Sequence, residues 1–221
     1  IVLPTYNEAG NIKAVLNGIL SINSPIDVLV IDDNSPDNTA NIVEVILGKD
    51  ERIHLIKRPK KLGLASAYKE GFNYGLLNKY NYIMQMDADL SHDPKDIPRF
   101  LAYIKNYDCV IGSRYIDGIR VINWPLHRLI LSYSASVYTR AITGLKLHDA
   151  TSGFKCIRRE ALEMIDLDSL HSEGYGFNIE LGYICQKKGL RVIEIPIVFS
   201  ERFKGRSILS NKIIFEAAAL V

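Results

Sequence analysis

Tyr82-Ile-Met-Gln-Met-Asp-Ala-Asp-Leu-Ser-His-Asp-Pro94 sets a short apolar run against two acids, Asp87 and Asp89, with one small residue between them. The run from Tyr82 to Met86 is short, apolar and bounded by turn formers, which predicts a buried strand. A strand ending in Asp-x-Asp delivers carboxylate oxygens to the carboxyl edge of a sheet, where open α/β folds bind their ligands. Oxygen-only donors suit Mg²⁺ or Mn²⁺, and Mg²⁺ commonly takes one or two carboxylates and completes its shell with substrate phosphates. The stretch therefore points to a metal that holds a nucleotide diphosphate. Taken alone it fits an ordinary strand-end turn equally well, because Asp is common there.

Outward from this stretch, strand-like and helix-like runs alternate. Strands are expected at Asp27 to Ile31, Ile53 to Lys57 and Cys109 to Gly112, with helices at Ala40 to Leu47, Ala65 to Asn78 and Ile97 to Lys105. This rhythm predicts a mostly parallel, doubly wound sheet with helices on both faces. After Gly112 the rhythm breaks. A long helix is expected over Pro125 to Thr143, a polar loop over Asp149 to Phe154, a helix over Phe177 to Lys188 and a strand over Val192 to Phe199. No linker, low-complexity tract or internal repeat interrupts residues 1–221, so a single domain is expected.

Several strand-end loops are richer in polar groups than capping requires. In Pro4-Thr-Tyr-Asn-Glu8, Tyr6 and Glu8 are suited to a base and a ribose, although Asn7 or Glu8 near a helix start also serves as a cap. In Asp32-Asp-Asn-Ser-Pro-Asp37, Asp33 is placed to accept from a nucleoside, while Ser35-Pro36 is expected to start the next helix. Lys60-Lys-Leu-Gly63 opens a helix beside two cations, an arrangement that attracts phosphate. Arg114, in Gly112-Ser-Arg-Tyr115, has the planar fork that grips a phosphate, and Arg128 and Ser132 share one helical face as i and i+4.

Composition narrows the function. A net charge of +2 on 221 residues argues against nucleic acid as a partner. Three widely spaced cysteines form no Cys-x-x-Cys pair and suit a reducing compartment, and five scattered histidines show no zinc spacing. No run of 18 apolar residues spans a bilayer. The chain starts in a strand without Met and stops within an apolar segment, which leaves open an anchoring segment or subunit beyond residue 221.

The ordered set Pro4-Thr-Tyr-Asn-Glu8, Asp32 to Asp37, Leu62-Gly-Leu64, Asp87-Ala-Asp89, Gly112-Ser-Arg-Tyr115, Trp124-Pro-Leu-His-Arg128, Asp149-Ala-Thr-Ser-Gly-Phe154, Glu173-Gly-Tyr175 and Pro196-Ile-Val-Phe199 resembles the dolichyl-phosphate (polyprenyl-phosphate) mannose synthases of glycosyltransferase family 2. The resemblance implies a GT-A (Rossmann-like) α/β/α sandwich, a GDP-mannose donor, Mg²⁺ or Mn²⁺, a polyprenyl or dolichyl phosphate acceptor, and inversion at the anomeric carbon. By position, Pro4, Tyr6, Glu8, Ile31 and Asp33 would hold the nucleoside, with Asp87, Ala88, Asp89 and Ser91 lining donor and metal. Asp87, Asp89 and Ser91 would be the metal ligands. Arg114, Arg128 and Ser132 would hold the acceptor phosphate, with Asp89, Arg114 and Arg128 central to catalysis, and Arg202 would reach the donor diphosphate. Two positions depart from the family pattern: Ser91 stands where some relatives carry Gln, and Ile208 stands where the family carries Lys.

A phosphate monoester is largely ionised near neutral pH, its second pKa being about 6, so such an acceptor needs no general base. A lipid acceptor places the enzyme at a membrane surface, expected on the cytoplasmic side and either peripheral or anchored. The helix near Trp124 to Thr143 and the segment from Phe203 to Val221 mix apolar residues with cations, as interfacial segments do. Three alternatives remain at this level: a glucosyl or other sugar transferase using a UDP-sugar, a nucleotidyltransferase, and a non-catalytic nucleotide-sugar or membrane-docking module.

Overall fold

The computed structural model of the chain describes residues 1–200, with the side chain of Tyr175 left aside. The expectations for Arg202, for Ile208 and for the segment from Phe203 lie outside the described residues. Strands β1 (Val2–Thr5), β2 (Val28–Asp32), β3 (Ile53–Lys57), β4 (Tyr82–Gln85), β5 (Cys109–Ser113), β7 (Lys155–Arg158) and β8 (Val192–Pro196) form one sheet in the order 3-2-1-4-7-5-8. Strands β6 (Val121–Ile122) and β9 (Phe199–Ser200) pair in parallel beside it. The helices are α1 (Ile12–Leu20), α2 (Thr39–Leu47), α3 (Leu64–Leu77), α4 (Ile97–Tyr103), α5 (Leu126–Thr143), α6 (Arg159–Glu163) and α7 (Gly174–Lys187).

Alternating side chains of each strand feed two cores, which is why the strand sequences read as continuous apolar runs. In β2, Leu29 and Ile31 pack toward α3, α6 and α7, while Val28 and Val30 pack toward α1, α2 and α4. Helix α1 buries Ile12, Val15, Leu16 and Ile19, the i, i+3, i+4, i+7 stripe of an amphipathic helix. Helix α3 lies so close to the sheet that a Cβ on Gly71 would come within 2.3 Å of Val2. Only glycine permits that approach. Cys109, Cys156 and Cys185 are all buried free thiols, as their spacing predicts.

The α/β/α layering and the mostly parallel sheet agree with expectation; four local readings do not. Strand β7 is inserted antiparallel between β4 and β5, where no strand was expected. Helix α2 begins at Thr39, not at Ser35-Pro36, because Ser35 turns back to Asp32 through both its amide (2.8 Å) and its hydroxyl (2.6 Å). Helix α7 begins at Gly174, so Glu180 lies in its second turn, where it accepts from the backbone amides of His171 and Ser172. The run from Val192 to Phe199 splits at Pro196 into β8 and β9.

The inserted strand has a consequence for function. Because β7 runs against its neighbours, the loop that precedes it, Asp149 to Phe154, arrives at the carboxyl edge of β4 and β5. A parallel strand in that slot would have delivered its following loop instead.

Candidate active site

Loops from the carboxyl edge and one face of α5 enclose a cleft of about 570 Å³. Pro4, Tyr6, Glu8, Asp33, Asp87, Ala88, Asp89, Arg114, Arg128 and Ser132 all line it. Ile31 does not. It is fully buried within β2 and packs in the α3-side core, so its side chain is a core residue and not part of a nucleoside cradle.

At the Tyr6 end of the cleft the first two loops are tied together. The amides of Asn7, Glu8 and Ala9 donate to Ser35, Thr39 and Asp37 across the gap between β1 and β2. Asp33 is a fastener: one carboxylate oxygen accepts from Arg58 Nη1 (2.9 Å) and the Leu62 amide (3.0 Å), the other from the Gly63 amide (2.8 Å). Its expected role as a plain nucleoside acceptor is therefore revised, since it first holds the loop before α3 against the cleft. Lys61 Nζ lies 3.8 Å from the centre of the Tyr6 ring, within cation–π range.

Asp87 and Asp89 stand together at the end of β4. Tyr68 donates to Asp87 Oδ1 at 2.9 Å, and burial, then the Asp87 charge, pushes the phenol well above its usual range, so the hydroxyl stays protonated and donating. Asp89 Oδ1 accepts from the Ser91 amide (3.0 Å) and hydroxyl (2.5 Å). Ser91 is 1% exposed. Its hydroxyl proton is given to Asp89, so Ser91 braces that carboxylate. Among the described residues no group of three or more His, Cys, Asp or Glu side chains converges on a metal position. Two adjacent hard carboxylates with no soft donors fit a hard divalent cation whose remaining ligands come from a diphosphate and water, and do not fit a closed zinc site.

His92, absent from the sequence expectations, is buried against Phe154 with ring centroids 4.8 Å apart. Burial lowers its pKa, and its Nδ1 accepts from the Asp87 amide at 3.0 Å. A neutral imidazole whose Nδ1 accepts carries its proton on Nε2. Its basic nitrogen is thus occupied, and His92 is no general base in this arrangement.

Arg114 is not a solvent-facing fork. It is 5% exposed, and its Nε and Nη2 meet the two Asp149 oxygens at 2.7 and 2.6 Å, with Thr151 at 2.7 Å from the same Nη2. Burial pushes the Asp149 carboxyl up, but the charge and hydrogen bonds of Arg114 outweigh it and hold it below the usual carboxylate range. The rings of Tyr115, Trp124 and Phe199 surround the guanidinium at 5.1 to 5.5 Å. The Nε–Nη2 edge is closed on Asp149, and Arg114 fastens the β7-preceding loop to the end of β5 while still lining the cleft. Arg128 lies 4.2 Å over Trp124, and Ser132 accepts from Tyr115 Oη at 2.8 Å. Both stand on the cleft face of α5, as their spacing predicts.

The sequence reading missed Lys155, Ser152, Gly153 and Asn178. Lys155 is fully buried behind the cleft, and burial lowers its ammonium to about 8. The other three line the cleft. Polar density in the loop from Asp149 to Phe154 was the available signal, but it carried no direction.

The family model for glycosyl transferase family 2 matches residues 1–165. An undecaprenyl-phosphate mannosyltransferase of Micrococcus luteus is 39% identical over all of this chain and 90% of its own length. A polyprenol monophosphomannose synthase of Mycolicibacterium smegmatis is 41% identical, over 98% of this chain and 83% of its own. Among solved structures, glucosyl-3-phosphoglycerate synthase from Mycobacterium tuberculosis, in complex with Mn²⁺ and UDP-glucose, matches with a TM-score of 0.67. It covers 98% of this chain and 74% of its own, at 18% identity, and so speaks to the GT-A fold alone. With its ordered motifs, its layered sheet and the carboxylate pair at the end of β4, this chain belongs to glycosyl transferase family 2.

Proposed function

We propose that the chain transfers mannose from GDP-mannose to a polyprenyl phosphate with inversion at the anomeric carbon. The observation that carries this reading is that one cleft joins a carboxylate pair, Asp87 and Asp89, to a cation and hydroxyl on α5, Arg128 and Ser132. Two anionic groups that repel each other, a leaving diphosphate and an attacking phosphate, need such opposed anchors to meet in line. Asp87 and Asp89 would hold Mg²⁺ or Mn²⁺, which when bound supplies positive charge to the departing diphosphate. Arg128 and Ser132 orient the acceptor phosphate. One of its oxygens bonds to the anomeric carbon as the carbon–oxygen bond to the diphosphate breaks, a single displacement that inverts the centre. No proton has to leave the nucleophile, consistent with His92 being committed to Asp87. Incubation of the protein with Mn²⁺, polyprenyl phosphate and a panel of radiolabelled GDP- and UDP-sugars tests the assignment. Transfer from GDP-mannose alone is expected, and preference for a UDP-sugar overturns the donor.

Arg128→Ala is expected to raise the Michaelis constant for polyprenyl phosphate, or lower turnover, by more than about tenfold, since truncating a charged partner costs about 2–5 kcal/mol. GDP-mannose affinity by calorimetry should stay within twofold of wild type. A mutant that loses the donor and keeps its lipid constant moves Arg128 to the donor side.

The outer face of α5 supports a lipid acceptor. Leu126, Ile130, Tyr133 and Val137 follow one another at helical spacing, all exposed, on the side opposite Arg128 and Ser132. From Gly118 to His148 the chain carries Arg120, Arg128, Arg140 and Lys146 and no acid. No described helix is long and apolar enough to cross a membrane. An apolar stripe bordered by cations lies in an interface plane and is drawn to anionic lipid. The protein should float with anionic liposomes and lose that binding on Ile130→Glu with Val137→Glu; equal flotation by both proteins sinks the α5 contact.

A further inference from the structure

Lys155 opens β7 and is 1% exposed, the most deeply buried lysine among the described residues. Its Nζ donates to the Ser152 carbonyl and, at 2.9 Å, to Asn178 Oδ1. An ammonium has three donors and no acceptor, so it can meet only the oxygen end of that amide. Gln85 Nε2 approaches the same oxygen from β4 at 3.4 Å. Two donors behind the cleft thus hold the Asn178 amide one way round, and Nδ2 is turned away from them. Nδ2 makes no hydrogen bond to a described residue, although Asn178 is 3% exposed and lines the cleft.

The space in front of that nitrogen is defined by a glycine. A Cβ built on Gly153 would stand 3.6 Å from Asn178 Nδ2 and 3.6 Å from both oxygens of Asp87. A fixed donor and a carboxylate therefore flank one small volume that any side chain at 153 would fill. A hydroxyl suits it, accepting from Nδ2 through a lone pair and presenting its hydrogen to the carboxylate. A phosphate oxygen could accept from Nδ2 but has no hydrogen to give the carboxylate.

We propose that Asn178, oriented from behind by Lys155, reads a hydroxyl of the transferred sugar, with Gly153 leaving the room that the hydroxyl occupies. Asn178 is the substrate contact; Lys155 is a positioning residue that acts through it. The inference rests on the sugar-transfer reading above and adds to it a residue that selects the sugar.

The test compares wild type, Asn178→Ala, the shape-conserving Asn178→Asp and Lys155→Met, using GDP-mannose and its monodeoxy analogues with Mn²⁺. Wild type should lose roughly tenfold to a hundredfold in kcat/KM on one deoxy donor, the range expected when a buried donor is left unpaired. Asn178→Ala should lose a similar factor on GDP-mannose and nothing further on that deoxy donor, while the other analogues keep their wild-type ratios. Lys155→Met should reproduce this pattern in weaker form, and affinity for GDP alone should stay within twofold throughout. Variants that lose GDP affinity in step with transfer overturn the proposal by placing the amide on the diphosphate. So does a wild type indifferent to every deoxy donor, a result that requires no variant to fold. If no sugar is transferred at all, the parent reading fails separately. Calorimetry then reads the same contact, as an advantage of GDP-mannose over GDP that Asn178→Ala abolishes, and an advantage that survives overturns it.

Discussion

Asp89→Asn should abolish transfer while leaving the fold intact. The amide oxygen of Asn can still accept from the Ser91 amide and hydroxyl, both of which bond to Asp89 Oδ1, so the loop after β4 keeps its shape. What is lost is the negative charge, and a neutral amide binds a divalent cation far more weakly than a carboxylate. Outer-shell partners of metal sites already cost about 10–100-fold when removed, so loss of a direct ligand should exceed roughly a hundredfold in turnover. Activity titrated against Mn²⁺ should shift to much higher metal, with circular dichroism and melting temperature unchanged. Near wild-type rates at low Mn²⁺ would remove Asp89 from the metal site.

The second large effect is on stability. Asp149→Leu leaves the Arg114 guanidinium buried without its carboxylate, and breaking a buried pair in this way costs about 3–5 kcal/mol. For a chain of this size that corresponds to roughly 6–20 °C in melting temperature. The informative variant is the double substitution Arg114→Met with Asp149→Leu. Removing both charges removes the desolvation penalty, so much of the lost stability should return, whereas activity should not. The loop from Asp149 to Phe154 would no longer be fastened to the end of β5 in the geometry that presents Ser152 and Gly153. Asp149→Leu melting within 2 °C of wild type would show that the pair holds nothing together.

The parts of the molecule legible in the sequence share a feature: their signal is local. The strand ending in Asp87-Ala-Asp89 could be read because apolar run, carboxylates and turn formers are adjacent. Arg128 and Ser132 share a face because i and i+4 share a face on any helix. The apolar strand runs and the βαβ rhythm predicted the layers and the mostly parallel sheet, and most helix ends fell within a few residues. Helix α2, expected over Ala40 to Leu47, forms over Thr39–Leu47; only the start at Ser35-Pro36 fails, because Ser35 could cap a helix or turn back on Asp32, and it does the latter.

What the sequence could not decide was which distant groups meet. Strand β7 is four residues long, begins with a lysine, and is a strand only because β4 and β5 accept it from both sides. That one insertion brings the loop from Asp149 to Phe154 to the working edge of the sheet. There Asp149 closes on Arg114 across 35 positions and Lys155 meets Asn178 across 23. Seen singly, Arg114 resembles a phosphate fork and Asp33 a nucleoside acceptor. Only the fold shows both committed first to holding their loops, because a charge buried this deeply must be paired before it can do anything else. The sequence by itself determined the layers, the carboxylate pair and the cation on α5, since each follows from residues within a turn or a strand of one another. The partners of the buried charges, and through them the shape of the cleft, were decided by tertiary structure, because hydrogen-bond satisfaction is settled between segments that only folding brings together.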